Sequence, residues 1–340
     1  MSGTVAAKPL ATGKIPAGLL AELLDALPAA PPELRLGPAV GEDACAIEVP
    51  PSILVVASDP ITLTSGEPGR FSVVVNANDV AVTGARPRWF VAVVLAPPGT
   101  DADDLRRLFA DLGAALEEVG AHLVGGHTEV THAVTRPVVV GQMLGLAEDG
   151  RVVATGGARV GDVVVQVGAV PVEGAAVLAR EAAALLGAVD PAALTAARDA
   201  LTDPGISVVE QALAAARLGA TAMHDPTEGG LASGLHELAL ASGARIRVDR
   251  AAVLEFEPGV RVCEALGADP WAALASGSLL AAFPAPAAEE ARAALARAGF
   301  PAAAIGVLEP GSGVVDTDGR AVVWPERDEV ERVLSTMIRP

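Results

Sequence analysis

Residues 71–85 read FSVVVNANDVAVTGA, and the conformation of this stretch decides the fold. Its hydrophobic periodicity fits a helix or a buried strand, and its valines lean toward a strand. Its length and the Gly84-Ala85-Arg86-Pro87 terminus favour a helix. That helix would lie between two strand signals, SILVVASD (52–59) and RWFVAVVLAP (88–97). DADDLRRLFADLGAALEEVGA (101–121) follows as an amphipathic helix, with Asp101, Asp103 and Asp104 compensating the dipole at its start. HLV and RPVVVGQMLGLA are strands flanking GGHTEVTH, where Gly125-Gly126 reads as a turn. Strand, helix, strand, helix, strand, strand is an α/β layer.

Upstream, residues 1–40 read as an arm followed by a short helix, with Leu19, Leu20, Leu23, Leu24 and Leu27 at helical spacing and Pro28 ending it. Downstream, the polar, glycine-rich EDGRVVATGGARVGD (148–162) marks a domain boundary. The expected division is an arm over 1–40, a first domain over 41–150 and a second over 158–340. The second is again α/β: strand VVVQV, helical segments around 172–186, 191–200 and 206–218, strands RIRV, GSLLAAF and AIGVLE, helix 287–299 and a terminal helix from Pro325. GVVDTDGRAVVW (313–324) reads as a hairpin around Asp-Gly.

The formal charge of −18 argues against a nucleic acid polymer or an anionic membrane as partner, since both need a basic surface. The same charge permits a divalent cation, which an acidic cleft can hold and which can then bring in phosphate. No apolar run approaches the ~20 residues that span a bilayer. With two cysteines, Cys45 and Cys263, there is no disulfide framework, and a reduced, cytoplasmic setting is expected. Gly13-Lys14 lacks the spacing of a P-loop. Lys14, one of two lysines with Lys8, is a candidate to reach a phosphate from the N-terminal arm, beside the plainer reading as an exposed lysine. His122, His127 and His132 are five apart, which suits neither one helix face nor one strand face, so no zinc site is expected.

Asp79 sits in the middle of the apolar run, where a buried carboxylate needs a partner: a cap, a hydrogen-bond network or a cation. Other acids fall at element boundaries. Glu42 and Asp43 lie in GEDACAI, Asp59 in ASDPIT, Glu129 in GGHTEVTH and Asp225 in HDPTEGGL, where Gly229-Gly230 opens a helix. Strand ends are where α/β folds assemble ligand sites, and a glycine turn before a helix favours an anion. Taken alone, Asp43, Asp59 and Asp225 read first as turn or capping carboxylates and Glu129 as exposed beside a turn, while Asp79 reads equally as a buried capping residue. Converging from separate loops, they would hold Mg²⁺ with oxygen ligands and so bring in a nucleoside triphosphate.

Gly41-Glu42-Asp43-Ala44, Ser58-Asp59-Pro60, Asn78-Asp79 with Gly84-Ala85-Arg86-Pro87, Gly125-Gly126-His127-Thr128-Glu129 and Asp225-Pro226-Thr227-Glu228-Gly229-Gly230-Leu231 together resemble the AIR synthase (PurM)-like superfamily. Their order and wording are most similar to its HypE-like members, the hydrogenase maturation factors. The resemblance implies a two-domain α/β fold whose N-terminal domains pair into a β-barrel-like core, so a homodimer. It implies ATP with Mg²⁺ as cofactors, and phosphoryl activation of an oxygen on a small-molecule or protein-tail acceptor. By motif, Asp43, Asp59 and Asp79 become metal and phosphate-side ligands, and Asn78 orients the site. Gly125, Gly126 and Glu129 lie near metal or nucleotide, Asp225 is a second-domain metal or substrate contact, and the Gly229-Gly230 turn cradles phosphate. Asp79 and Asp225 would carry the catalysis.

Two departures bear on the acceptor. The sequence ends Met337-Ile338-Arg339-Pro340, without the terminal cysteine of HypE-type factors, and Glu228 stands where those carry arginine. Neither Cys45, inside a core-like motif, nor Cys263, inside an expected helix, would serve as a swinging thiol. A non-enzymatic nucleotide-binding scaffold and a metal-dependent phosphatase therefore stay open beside the synthetase reading.

Overall fold

The computed structural model describes residues 17–18, 34–36, 39–62, 66–147 and 150–337. Lys14 and the leucine-rich helix expected over 19–27 lie outside the described residues.

The first half builds a six-stranded sheet from β1 (Leu34–Leu36), β2 (Cys45–Val49), β3 (Ser52–Ile61), β4 (Arg86–Ala96), β5 (His122–Val130) and β6 (Val138–Ala147). Their order is β1-β2-β3-β6-β4-β5, antiparallel except for the parallel β4–β5 pair at one edge. The deciding stretch is helix α1 (Pro68–Ala81), with α2 (Ala102–Val119) packed beside it. The helix α1 has no polar face: from Pro68 to Ala81 only Arg70 is not buried, because it lies between this sheet and the second half of the chain. That explains why its periodicity was ambiguous, since a helix buried all round loses the amphipathic signal. The expected helix from 101 is α2, and Asp101 caps it by accepting from the N–H groups of Asp103 and Asp104.

One face of the sheet packs under α1 through Ile53, Val55, Phe90, Ala92 and Met143. The strand alternation puts Leu54, Val56, Val91, Val93, Val140, Leu144 and Leu146 on the other face, only partly buried.

Gly125-Gly126 is not a turn. Both glycines are inside β5, a continuous edge strand with all nine residues exposed. Gly126 has φ +148, and a Cβ there would come 2.0 Å from the Ala92 carbonyl oxygen of the neighbouring strand. The glycine marks close backbone approach within a strand. His127 accordingly belongs to that strand, 3.3 Å from Glu129.

The second half builds another six-stranded sheet from β7 (Val163–Val167), β8 (Ala222–His224), β9 (Arg245–Val248), β10 (Leu279–Phe283), β11 (Ala302–Glu309) and β12 (Gly313–Asp316), ordered β12-β9-β11-β7-β10-β8. Its helices are α3 (Glu173–Glu181), α4 (Pro191–Asp199), α5 (Val209–Arg217), α6 (Gly230–Ala241), α7 (Glu257–Ala265), α8 (Ala285–Arg297) and α9 (Glu329–Met337). The expected hairpin after β12 forms, with Asp316 N–H donating to the Arg320 carbonyl at 2.8 Å. The terminal helix begins at Glu329, four residues later than Pro325, because Asp328 supplies its start by accepting from Val330 N–H at 2.7 Å. No helix among the described residues is long and apolar enough to cross a membrane.

Candidate functional site at the domain junction

The two amides of α1 are structural ties. Asn76 accepts from Asp59 N–H at 2.8 Å and donates to the Asp59 carbonyl at 3.3 Å, fixing α1 to the end of β3. Asn78 donates to the Ile206 carbonyl at 2.9 Å and accepts from Val208 N–H at 2.8 Å. Its whole amide is thus engaged by second-half backbone, fully buried, and it joins the halves. Asp79 follows it, 5% exposed.

Beside that junction the chain brings three side chains together. Asp43 stands just before β2, His224 ends β8, and Asp225 is the next residue. A ligand atom of each lies within 4.8 Å of the others. Among the described residues this is the one such group of three or more acids, histidines or cysteines, and Asp59 and Asp79 are not in it. Asp59, exposed at the end of β3, still acts on Asp225 through its charge.

Asp225 is 1% exposed, and neither of its carboxylate oxygens has a hydrogen-bond partner. A buried carboxylate left so costs several kcal/mol unless it is protonated or meets a cation. Burial, and then the charge of Asp43, hold its carboxyl well above the usual range. His224 is 3% exposed. Its Nδ1 is 2.6 Å from Asp43 Oδ2 and its Nε2 2.8 Å from Glu237 Oε2. Burial alone would lower its pKa, but Asp43 and Glu237 outweigh that and hold it well above its ordinary value. Three carboxylates thus surround one imidazole.

Glu42 has a different task. It accepts from the N–H groups of Thr155 and Gly156 at 3.3 and 3.2 Å, closing the segment between the two sheets onto the loop before β2. Burial raises its pKa, and those two N–H groups partly offset the rise.

The Gly229-Gly230 turn does not offer a free phosphate cradle. Gly229 N–H donates to Asp328 Oδ2 at 2.7 Å and Gly230 N–H to the Thr227 carbonyl at 3.0 Å. Both glycines have positive φ, and a Cβ on Gly230 would come 2.6 Å from the Ala273 and Trp271 carbonyl oxygens. Their role is to let the turn close on α9 and the 271–273 segment. Glu228, Asp328 and Glu173 form a second acidic group there. Burial pushes Asp328 up to about 7 and Glu173 up to about 7, and Glu228 adds to both. Glu129 stays outside the cluster, and the two β5 glycines are on the exposed edge strand.

His224, Glu237 and Glu42 as a junction tie were not assigned by sequence. His224 and Asp225 are adjacent in one quoted motif, and Glu237 lies on the helix that motif opens, but a pairing with Asp43, 181 residues away, leaves no local pattern. Cys263 is buried in α7, with its thiol pushed up to about 12 by burial.

Two α/β layers joined at a buried acidic centre make a two-domain architecture. The model of the AIR synthase related protein N-terminal domain matches residues 41–147, and that of the C-terminal domain matches residues 159–335. The chain belongs to the AIR synthase related family, with a two-domain PurM-like fold. It is 32% identical over 259 residues to carbamoyl dehydratase HypE of Azotobacter vinelandii, covering 73% of this chain and 72% of that protein. With the HypE of Rhodobacter capsulatus the identity is 31% over 227 residues, covering 66% of this chain, which spans 64% of that relative's length. A solved structure of hydrogenase maturation protein HypE in complex with ATP superposes with a TM-score of 0.67 at 25% identity, covering 86% of this chain and 92% of that one.

Proposed function

We propose that this chain binds ATP with Mg²⁺ at the domain junction and transfers the terminal phosphoryl group to an oxygen of a small-molecule or protein-tail acceptor. The carrying observation is Asp225: buried, with both oxygens unpartnered and grouped with Asp43. The donor set fits magnesium, a hard cation that takes oxygen ligands. Asp43 and Asp225 supply oxygens, whereas both His224 nitrogens already face carboxylates. When bound, the ion neutralises phosphate charge. Asp59 and Asp79 are the proposed phosphate-side carboxylates, Asp59 at the end of β3 and Asp79 on α1 beside the Asn78 tie. The acceptor oxygen would attack the terminal phosphorus as the bond to the bridging oxygen breaks and ADP leaves. The chain's part is positioning and electrostatics. The ATP complex of a HypE structure supports the nucleotide.

The protein is further proposed to be a homodimer. The half-exposed valines and leucines of the first sheet's outer face, with exposed Leu123, Val124 and Val130 on edge strand β5, make an apolar surface of the kind that marks association, and an open edge that pairs readily.

Calorimetric titration of ATP with Mg²⁺ into wild type and Asp225→Asn tests the reading. Binding to wild type that vanishes in EDTA and in the variant supports it; metal-independent binding, or equal binding by both proteins, would sink it.

A further inference from the structure

The nearest neighbours of the Asp43–Asp225 pair raise the question of what holds the pair together, since its members belong to different domains. Asp43 Oδ2 is engaged by His224 at 2.6 Å, with the Thr155 hydroxyl at 3.5 Å, so Oδ1 is the oxygen Asp43 can offer. The other His224 nitrogen is engaged by Glu237 at 2.8 Å. Both nitrogens thus face carboxylates at hydrogen-bond distance, so the ring is turned to these two partners rather than to an ion, although it lies within ligand distance of the pair.

Glu237 is built into the second domain. It is on α6, the helix that opens at Gly230, five residues after Asp225. The loop carrying Asp43 docks on the same helix. Gly41 has φ +85, and a Cβ there would come 3.1 Å from the Glu237 carbonyl oxygen. The turn that Glu42 grips also touches α6: a Cβ on Gly156 would lie 2.7 Å from the Ala241 carbonyl oxygen. One helix therefore anchors the ring, the loop before β2 and the segment between the sheets.

We propose that Glu237 is a positioning residue for the cation: through the ring of His224 it orients the carboxylate of Asp43 from across the domain junction, and neither Glu237 nor His224 ligates the ion. This rests on the metal reading above. It also accounts for a histidine among three acids in a site whose available donors are all oxygens. Groups that orient a metal ligand in this way are worth about 10–100-fold in metal affinity.

The test titrates Mn²⁺, a paramagnetic stand-in for Mg²⁺, into the full-length protein and counts free ion by electron paramagnetic resonance. Glu237→Leu removes the acceptor for the ring and is expected to weaken Mn²⁺ binding at least about tenfold. Glu237→Gln keeps an oxygen opposite Nε2 and is expected to stay within about threefold of wild type; a merely space-filling residue would not show this rescue. His224→Gln, which keeps a partner for Glu237 and loses the one for Asp43, is expected to match Glu237→Leu and replaces it should that variant not fold. Wild-type affinity in a folded Glu237→Leu or His224→Gln overturns the proposal, and if Asp225→Asn still abolishes binding the metal reading survives. A wild type that binds no Mn²⁺ removes both.

Discussion

Gly126 and Glu173 show how single positions carry the fold's constraints. Alanine at 126 would bring its Cβ to 2.0 Å from the Ala92 carbonyl oxygen, at a φ of +148. Gly126→Ala should therefore destabilise by roughly 1–3 kcal/mol, as overpacking does, read from the urea midpoint. Glu173 accepts hydrogen bonds from Ser276, yet burial pushes its pKa from 4.5 to about 7. Because the unfolded chain gives up this proton first, stability falls as pH rises from 4.5 to about 7 and levels off above. Glu173→Gln should raise Tm at about pH 8 and change it little at about pH 4; an equal shift at both would contradict buried titration. The sequence identified Asp43 and Asp225, since an acid in a motif beside a turn is a local signal. It was silent on His224 and Glu237, whose roles exist only once β8 and α6 bring them to the loop before β2.

At the scale of elements, α1 was legible from its length and its Gly-Ala-Arg-Pro stop, even though burial on all sides removed its periodicity. Edge strand β5 was not, because glycine is a strong turn signal and the sequence does not show that Gly126 faces a neighbouring carbonyl. Asn78 was read as orienting the site, whereas its amide joins α1 to residues 206–208. Asn78→Leu leaves a buried carbonyl and a buried N–H unpaired, at about 1–3 kcal/mol each. It should lower the denaturation midpoint and loosen α1 against α5, seen as faster hydrogen exchange at Val208. Unchanged exchange there would argue against Asn78 as the tie.

For the whole molecule, the second sheet has its strands β8 and β10 buried on both faces, whereas the first closes one face with helices and leaves its other face apolar and only partly buried. Leu144→Glu, placed on that face, should convert a dimer to a monomer in light scattering; a wild type that is already monomeric would refute the pairing. The strand and helix order of both halves was readable because each element carries its own pattern, but the junction was not, since Asp43 and His224 are 181 residues apart. That junction carries the central claim, that an acid from each domain holds the cation that brings in the nucleotide. The most direct measurement is calorimetry of ATP with Mg²⁺ on wild type, Asp43→Asn and Asp225→Asn, each repeated in EDTA. Metal-dependent binding by wild type, lost in both variants while their thermal melts stay cooperative, is the expected result. Binding that persists in either variant, or in EDTA, would contradict a cation held between the domains.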